Sequence, residues 1–150
     1  MAILKTKKIK GFTLVEILIT ISVLAILLTI GLAYVLPQFR KGNDAKRKAN
    51  LNRIQIALEE YERDFECYPS TLTCPSDAQL ASYLDPVPCD PTTDDPYYYE
   101  VEAGSCPGWY RLYADLENTA DPIIKELGCD AGCGPFGANY YVGSPNAPLP

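Results

Sequence analysis

The sequence predicts an α+β fold in which one long N-terminal helix packs on a small three-stranded antiparallel sheet. Two patterns carry this prediction. A membrane-length apolar run is followed by residues with an amphipathic helical spacing. Beyond residue 96 there are three short runs rich in aromatic and β-branched residues. Their side chains alternate between two faces, as in β-strands. A chain of 150 residues has room for one such helix and one small domain.

The apolar run predicts a helix that spans a membrane. Between Phe12 and Leu36 the only charged side chain is Glu16. The stretch Ile17–Leu36, as a helix, would be about 30 Å long, which matches the core of a bilayer. Pro37 is expected to end or kink the run. We therefore assign residues 12–36 to a transmembrane helix.

The second half of the helix, residues 37–66, is predicted from a stripe of apolar side chains beyond Gly42. Such a stripe is typical of a helix that covers a core, here the apolar face of the sheet. Its members recur at steps of three and four: Leu51, Ile54, Leu58, Tyr61 and Phe65.

Residues 67–150 are predicted to form a globular head domain. Pro, Gly, Ser, Thr and Asp dominate its first part, which favours loops with at most a short helix near Ala78–Leu84. The predicted strands are Tyr97–Glu102, Trp109–Leu116 and Ala138–Val142, and the short connection between the first two suits a hairpin.

Charge is distributed unevenly along the chain. Residues 1–66 carry eleven Lys or Arg and seven Asp or Glu, whereas residues 67–150 carry two basic and twelve acidic residues. An acidic head would repel phosphate, so direct binding of nucleic acid is not expected. Basic residues flank the apolar run on both sides, so the positive-inside rule does not orient it.

The cysteines supply the orientation. The chain has no histidine, and its six cysteines all lie in the predicted head, which indicates disulfides in an oxidising compartment. Zinc is the weaker alternative, because no pair has the C-x₂-C spacing. Six cysteines allow fifteen connectivities, and we expect sequence neighbours to pair. The expected disulfides are Cys67–Cys74, Cys89–Cys106 and Cys129–Cys133.

The N-terminal residues resemble those of a known family. A lysine-rich leader of residues 1–11, then Gly11, the string Phe12-Thr13-Leu14-Val15-Glu16 and a membrane-length apolar run resemble the N-terminus of a type IV pilin or pseudopilin precursor. Five further features are similar to major pseudopilins of the type II secretion class: Leu36-Pro37, Ala57-Leu58, Tyr61, Tyr68-Pro69 and Asp90-Pro91. Residues 1–69 resemble the family well and residues 97–116 loosely. The resemblance implies the type IV pilin-like fold.

The resemblance also implies roles for three residues. In this family a membrane-embedded aspartyl peptidase cuts after the glycine, here Gly11, and methylates the new amino terminus, here Phe12. Glu16 would pair with the Phe12 ammonium of a neighbouring subunit and fix the stagger between subunits. The alternative for Glu16 is a carboxylate solvated by lipid headgroups at the membrane interface.

A weaker candidate is a calcium site. Some major pseudopilins bind calcium after the second strand, where this chain has Asp115, Glu117, Asn118 and Asp121. The alternative is a solvated acidic turn, since no glycine-punctuated loop accompanies these residues. No other cofactor is expected.

Together these features predict a structural subunit of a type IV pilus-like or type II secretion pseudopilus filament. The expected partners are copies of itself, the prepilin peptidase and methyltransferase, and an assembly platform with its ATPase. The N-terminus is expected in the cytoplasm and the head outside the inner membrane, in the periplasm or in a cell-surface filament. The alternative is a single-span anchored domain that binds a ligand without assembling. The residues show no catalytic constellation, so no enzymatic activity is expected.

Overall fold

The computed structural model describes residues 11–150, apart from the side chain of Ala33. Within them the chain divides into two compact units, one that ends at Gln38 and one that covers Phe39–Pro150. The predicted α+β fold is confirmed. Its elements, in chain order, are helix α1 (Leu14–Phe65), strands β1 (Tyr98–Val101) and β2 (Tyr110–Ala114), helix α2 (Pro122–Glu126), a short 3-10 helix (Pro135–Gly137) and strand β3 (Tyr140–Gly143).

Helix α1 begins at a threonine cap and contains a proline. The backbone N–H of Glu16 donates a hydrogen bond of 3.2 Å to Thr13 Oγ1, which satisfies one of the free N–H groups of the first turn. Helix α1 continues through Pro37 to Phe65, so the residues on both sides of the proline belong to one helix, as predicted. Glu66, at φ 59°, takes the left-handed conformation that commonly ends helices.

The stripe on the second half of α1 forms the centre of the core, as predicted for most of its members. Leu51, Ile54 and Leu58 are completely buried, and Tyr61 packs against them partly exposed. Phe65 was predicted to join them, but it is 57% exposed. Its ring stacks on Tyr61, with centroids 4.4 Å apart, at the end of the helix.

The sheet has the predicted three strands in the order β1-β2-β3, and both pairings are antiparallel. Tyr97, Tyr99 and Val101 face the core together, as their alternation predicts. Strand β2 is buried on both faces, which alternation alone did not indicate. The segment that holds Gly134 covers its outer side so closely that a Cβ on this glycine would overlap the Tyr113 ring.

Residues 78–83 form turns, which agrees with the prediction of loops with at most a short helix there. The Asp77 carboxylate accepts hydrogen bonds from the backbone N–H groups of Thr73, Gln79 and Leu80. Helix α2 was not predicted. It buries Ile124 against Leu116 and Cys129 in a second, smaller core.

All six cysteines form disulfides, as predicted, but two of the three expected pairings are wrong. The structure pairs Cys67 with Cys106 and Cys74 with Cys89, whereas Cys129–Cys133 is confirmed. The reason is a contact distant in sequence. Tyr68 N–H donates to the Pro107 carbonyl at 2.8 Å, which brings the β1–β2 connection beside the end of α1.

Candidate functional site

The predicted cleavage site lies at the exposed start of the described chain. Gly11, Phe12 and Thr13 precede α1 and belong to no helix or strand, and the Phe12 side chain is 75% exposed. Among the described residues, no atom lies within 4 Å of the position that a Cβ on Gly11 would occupy. Cleavage at Gly11–Phe12 stays a prediction.

Glu16 lies in the first turn of α1 with its side chain exposed. Within residues 11–150 its carboxylate has no hydrogen-bond or salt-bridge partner, and only its backbone N–H is engaged, by Thr13. The Thr13-x-x-Glu16 spacing is also that of a capping box, of which the described structure forms the threonine half alone. The helix dipole favours an acid at this position by about 0.3–1 kcal/mol. These local effects leave the carboxylate free to accept an external cation.

Three serine and threonine hydroxyl groups of the apolar segment donate hydrogen bonds within the helix. Thr20, Ser22 and Thr29 donate to the carbonyl oxygens of Ile17, Leu18 and Ile26 at 2.7–2.8 Å. In a lipid environment, polar groups need partners from the same segment or from a neighbouring helix. Glu16 is the one Asp, Glu, Lys or Arg residue among residues 14–36.

Helix α1 is the one described helix long and apolar enough to cross a membrane. Its most apolar 18-residue window has a mean hydropathy of 2.5, and none of that window is buried. From residue 14 to residue 38 every side chain with an assigned exposure is exposed. So large an apolar surface requires lipid or other protein around it.

A buried arginine organises the second unit, and the sequence-based prediction missed it. Arg47 is 5% exposed and makes ion pairs with Asp44 at 3.1 Å, Asp90 at 2.7 Å and Glu117 at 3.1 Å. It also donates to Thr92 Oγ1 at 2.9 Å. One guanidinium thus joins α1 to the loop before β1 and to the loop after β2.

A sequence signal for this cluster existed. Asp44 and Arg47 continue the three-and-four spacing of Leu51, Ile54 and Leu58 toward the N-terminus, which places them on the buried face of α1. Charged residues at such positions are rarely buried unless they are paired. The pattern therefore indicates a buried ion pair, although it does not identify the partners from the loops.

The pKa values of the cluster follow from these contacts. Burial by itself would raise the pKa of Asp90, but hydrogen bonds from Arg47 and from Thr92 N–H hold it below its ordinary value. The hydrogen bond to Asp90 is the largest cause that raises the pKa of Arg47 above its ordinary value. Asp115 lies apart from these ion pairs, and its partial burial raises the pKa of its carboxyl.

Two of the four proposed calcium ligands, Glu117 and Asp121, use their carboxylates in other contacts, and Asp115 lies exposed. Glu117 pairs with Arg47, and Asp121 accepts from Lys48 Nζ at 2.6 Å and caps α2 by accepting from Ile123 N–H. The Asn118 N–H donates to the Asp44 carboxylate at 2.8 Å. Among residues 11–150 no group of three or more His, Cys, Asp or Glu side chains is arranged to hold a metal ion. The structure therefore gives the calcium hypothesis no support.

Comparison with known proteins identifies the N-terminal segment. A family model described as the prokaryotic N-terminal methylation motif matches residues 6–32. The chain therefore carries the signature of type IV pilin-like and pseudopilin proteins. Such a motif implies, in general terms, processing by a prepilin peptidase and assembly into a filament, and it fits a membrane-anchored precursor. No curated protein and no solved structure matches the chain.

Proposed function

We propose that this protein is a structural subunit of a type IV pilus-like or type II secretion pseudopilus filament. The observation that carries the proposal is the methylation motif at residues 6–32, which leads directly into an exposed apolar helix. A membrane surrounds that helix before assembly, and neighbouring copies surround it afterwards. The assembly platform and its ATPase extract the subunit from the membrane.

Processing creates the group that assembly needs. Cleavage after Gly11 frees the amine of Phe12, which is then methylated and keeps its positive charge. Glu16 is four residues further on, about one helical turn away. The Glu16 carboxylate of one subunit pairs with the Phe12 ammonium of its neighbour. A charged group buried in an apolar bundle is costly unless it contacts a group of opposite charge. The need to pair Glu16 with Phe12 therefore fixes the register between copies.

The head of each subunit lies on the side of the membrane opposite the leader. Three disulfides in residues 67–133 support an oxidising compartment for the head. The leader, and hence the peptidase site, then faces the cytoplasm. After assembly the heads form the outer surface of a filament in the periplasm or at the cell surface.

The change Glu16→Ala tests the assembly role. We expect membrane insertion at the level of the unaltered protein and at least about a tenfold loss of sheared filaments, since an unpaired buried ammonium costs several kcal/mol. The hydrogen bond from residue 16 to Thr13 uses the backbone N–H, so the helix start is retained in the variant. Glu16→Gln should fail equally, because it lacks the charge.

A matched control removes an acid elsewhere. Glu126 is exposed and has no ion-pair partner among the described residues, so Glu126→Ala should assemble normally. The filament yield, measured by shearing and immunoblotting, should be low for Glu16→Ala and normal for Glu126→Ala. Normal filaments from Glu16→Ala would contradict the assembly role and would favour an anchored domain that does not assemble.

A further inference from the structure

Three exposed cations lie on helix α1 shortly after its apolar segment ends. They are Arg40, Lys41 and Lys46, which we call the basic patch. In the part of the chain that the structure describes, none of the three forms a salt bridge. Arg47 and Lys48, which follow directly, differ from them because both pair with carboxylates. The basic patch is therefore a separate group of unpaired positive charges.

The acids close to this part of α1 are engaged elsewhere. Asp44 is the one acidic residue among residues 17–58, and its carboxylate is buried against Arg47. The carboxylates of the head that reach this part of the helix pair with Arg47 or with Lys48. They are Asp90, Glu117 and Asp121. An anion that binds the basic patch must therefore come from outside the described chain.

The position of the basic patch along the helix indicates the source of that anion. Arg40 and Lys41 come four and five residues after Leu36, the last residue of the predicted transmembrane segment, which is about 6–8 Å along a helix. The headgroup layer on each side of a bilayer is about 5–8 Å thick. Lys46 is further along, but helical side chains lean toward the N-terminus and a lysine stem is long. All three cations can therefore reach the level of lipid phosphate groups.

An exposed aromatic ring next to the basic patch also favours a lipid surface. Phe39 is 67% exposed and directly precedes Arg40. Cations beside an apolar ring are typical of segments that lie at the boundary between headgroups and acyl chains. The acidic head of a second copy would also attract the cations. However, a lipid surface lies at this level for every copy in the membrane, whereas the head of a second copy approaches only on assembly.

We propose that the basic patch binds the phosphate groups of anionic phospholipids in the leaflet on the head side of the membrane. Each cation near such a surface adds to the attraction, and the Phe39 ring enters the adjoining acyl boundary. These contacts fix the depth of α1 in the bilayer and are broken when the subunit leaves it. The proposal rests on the membrane-inserted precursor of the proposed function and does not require filament assembly.

The preference of the full chain for anionic lipid tests the proposal. The chain is reconstituted into phosphatidylcholine vesicles with a trace of spin-labelled phosphatidylglycerol or spin-labelled phosphatidylcholine. Electron paramagnetic resonance gives the fraction of each labelled lipid that the protein immobilises, and the ratio of the two fractions measures the preference. We expect this ratio to fall at least about threefold when Arg40, Lys41 and Lys46 are all replaced by glutamine. Added salt should reduce the difference, because it screens the charges.

Two further variants show whether charge at this position is responsible. Arg53→Gln is the matched control, because Arg53 is exposed and forms no salt bridge among the described residues. It lies seventeen residues beyond Leu36, about 25 Å along the helix, so the ratio should not change. The combined change Arg40→Lys, Lys41→Arg and Lys46→Arg keeps the charges and should keep the ratio. The leader lysines are the same in every variant and do not contribute to the differences.

Equal ratios for the unaltered chain and the triple glutamine variant would overturn the proposal, as would a fall in the charge-retaining variant. An unchanged lipid ratio with weaker crosslinking between copies would also overturn it and would assign the basic patch to the acidic head of a second copy. Normal filaments from a chain without lipid preference would refute lipid binding and leave the filament function intact. The expected ratios in a chain that forms no filaments would support lipid binding and contradict the filament function alone.

Discussion

At the scale of single residues, Arg47 joins helix α1 to two loops of the head through ion pairs. Its side chain is 6% exposed, and its three carboxylate partners come from three separate segments. Asp44 in turn accepts hydrogen bonds from the backbone N–H groups of Glu117 and Asn118 at 2.8 Å. The loop after β2 is thus attached to α1 by backbone and side-chain contacts together.

We expect Arg47→Met to lower the free energy of unfolding of the head by about 3–5 kcal/mol. The change leaves buried carboxylates without their cation, which costs more than the lost pairs alone. Urea unfolding of the full chain in detergent micelles, followed by tyrosine fluorescence, measures the effect. Arg53→Met is the control, since Arg53 is exposed and should change stability by less than about 0.5 kcal/mol.

The same variant should change the response to acid. The folded-state pKa of Asp90 is below its unfolded value of about 3.9, so the unfolded chain binds more protons in acid. The stabilisation is complete above about pH 4 and is lost as pH falls through the folded pKa. Arg47→Met should flatten this acid dependence, whereas the contribution of Asp121, whose pKa Lys48 lowers, should remain. Equal stability and an equal acid slope in both proteins would contradict the role of Arg47.

Whether a residue could be singled out from the sequence depends on how far away in sequence its partners lie. Gly11, Phe12 and Glu16 stand in one contiguous string, so a linear pattern is enough to single them out. Arg47 depends on Asp90 and Glu117, which are 43 and 70 residues away in sequence. The helical spacing indicated its burial, but only the fold supplies those partners.

At the scale of elements, the disulfides close loops of very different lengths. Cys67–Cys106 spans 39 residues, Cys74–Cys89 spans 15 and Cys129–Cys133 spans 4. The first joins the end of α1 to the β1–β2 connection. A longer loop leaves more conformational entropy in the unfolded chain when its crosslink is removed.

Replacing each pair by serine should therefore destabilise the head in the order of loop length. The chain-entropy relation gives losses of about 4 kcal/mol for Cys67–Cys106, about 3 kcal/mol for Cys74–Cys89 and about 2 kcal/mol for Cys129–Cys133. Urea unfolding of the three double variants measures them. Non-reducing peptide mapping of the unaltered chain provides the check on connectivity. Peptides linked as Cys67–Cys74 or Cys89–Cys106 would contradict the structure.

A helix or strand was predictable where its own sequence shows a clear apolar pattern. Helix α1 and the three strands follow from the apolar pattern of their sequences, although strand β2 is buried on both faces. The disulfide pairing was not predictable, since the proximity of Cys67 to Cys106 arises from tertiary hydrogen bonding near Pro107. Helix α2 was missed because its five residues are too few to show a period.

At the scale of the whole molecule, the two units meet different physical demands. The apolar half of α1 has no core of its own, so its exposed surface requires lipid or other helices. The second unit, Phe39–Pro150, has two cores, a buried ion cluster and three disulfides of its own. This division fits the membrane-anchored precursor that the methylation motif indicates.

The central claim is that the chain is processed at Gly11–Phe12 and assembled through the new terminus. N-terminal sequencing and intact mass of sheared filaments from the native cell test it most directly. We predict that assembled protein begins at Phe12, carries one added methyl group on its amine and contains three disulfides. Assembled protein in which residues 1–11 are still attached would contradict the account.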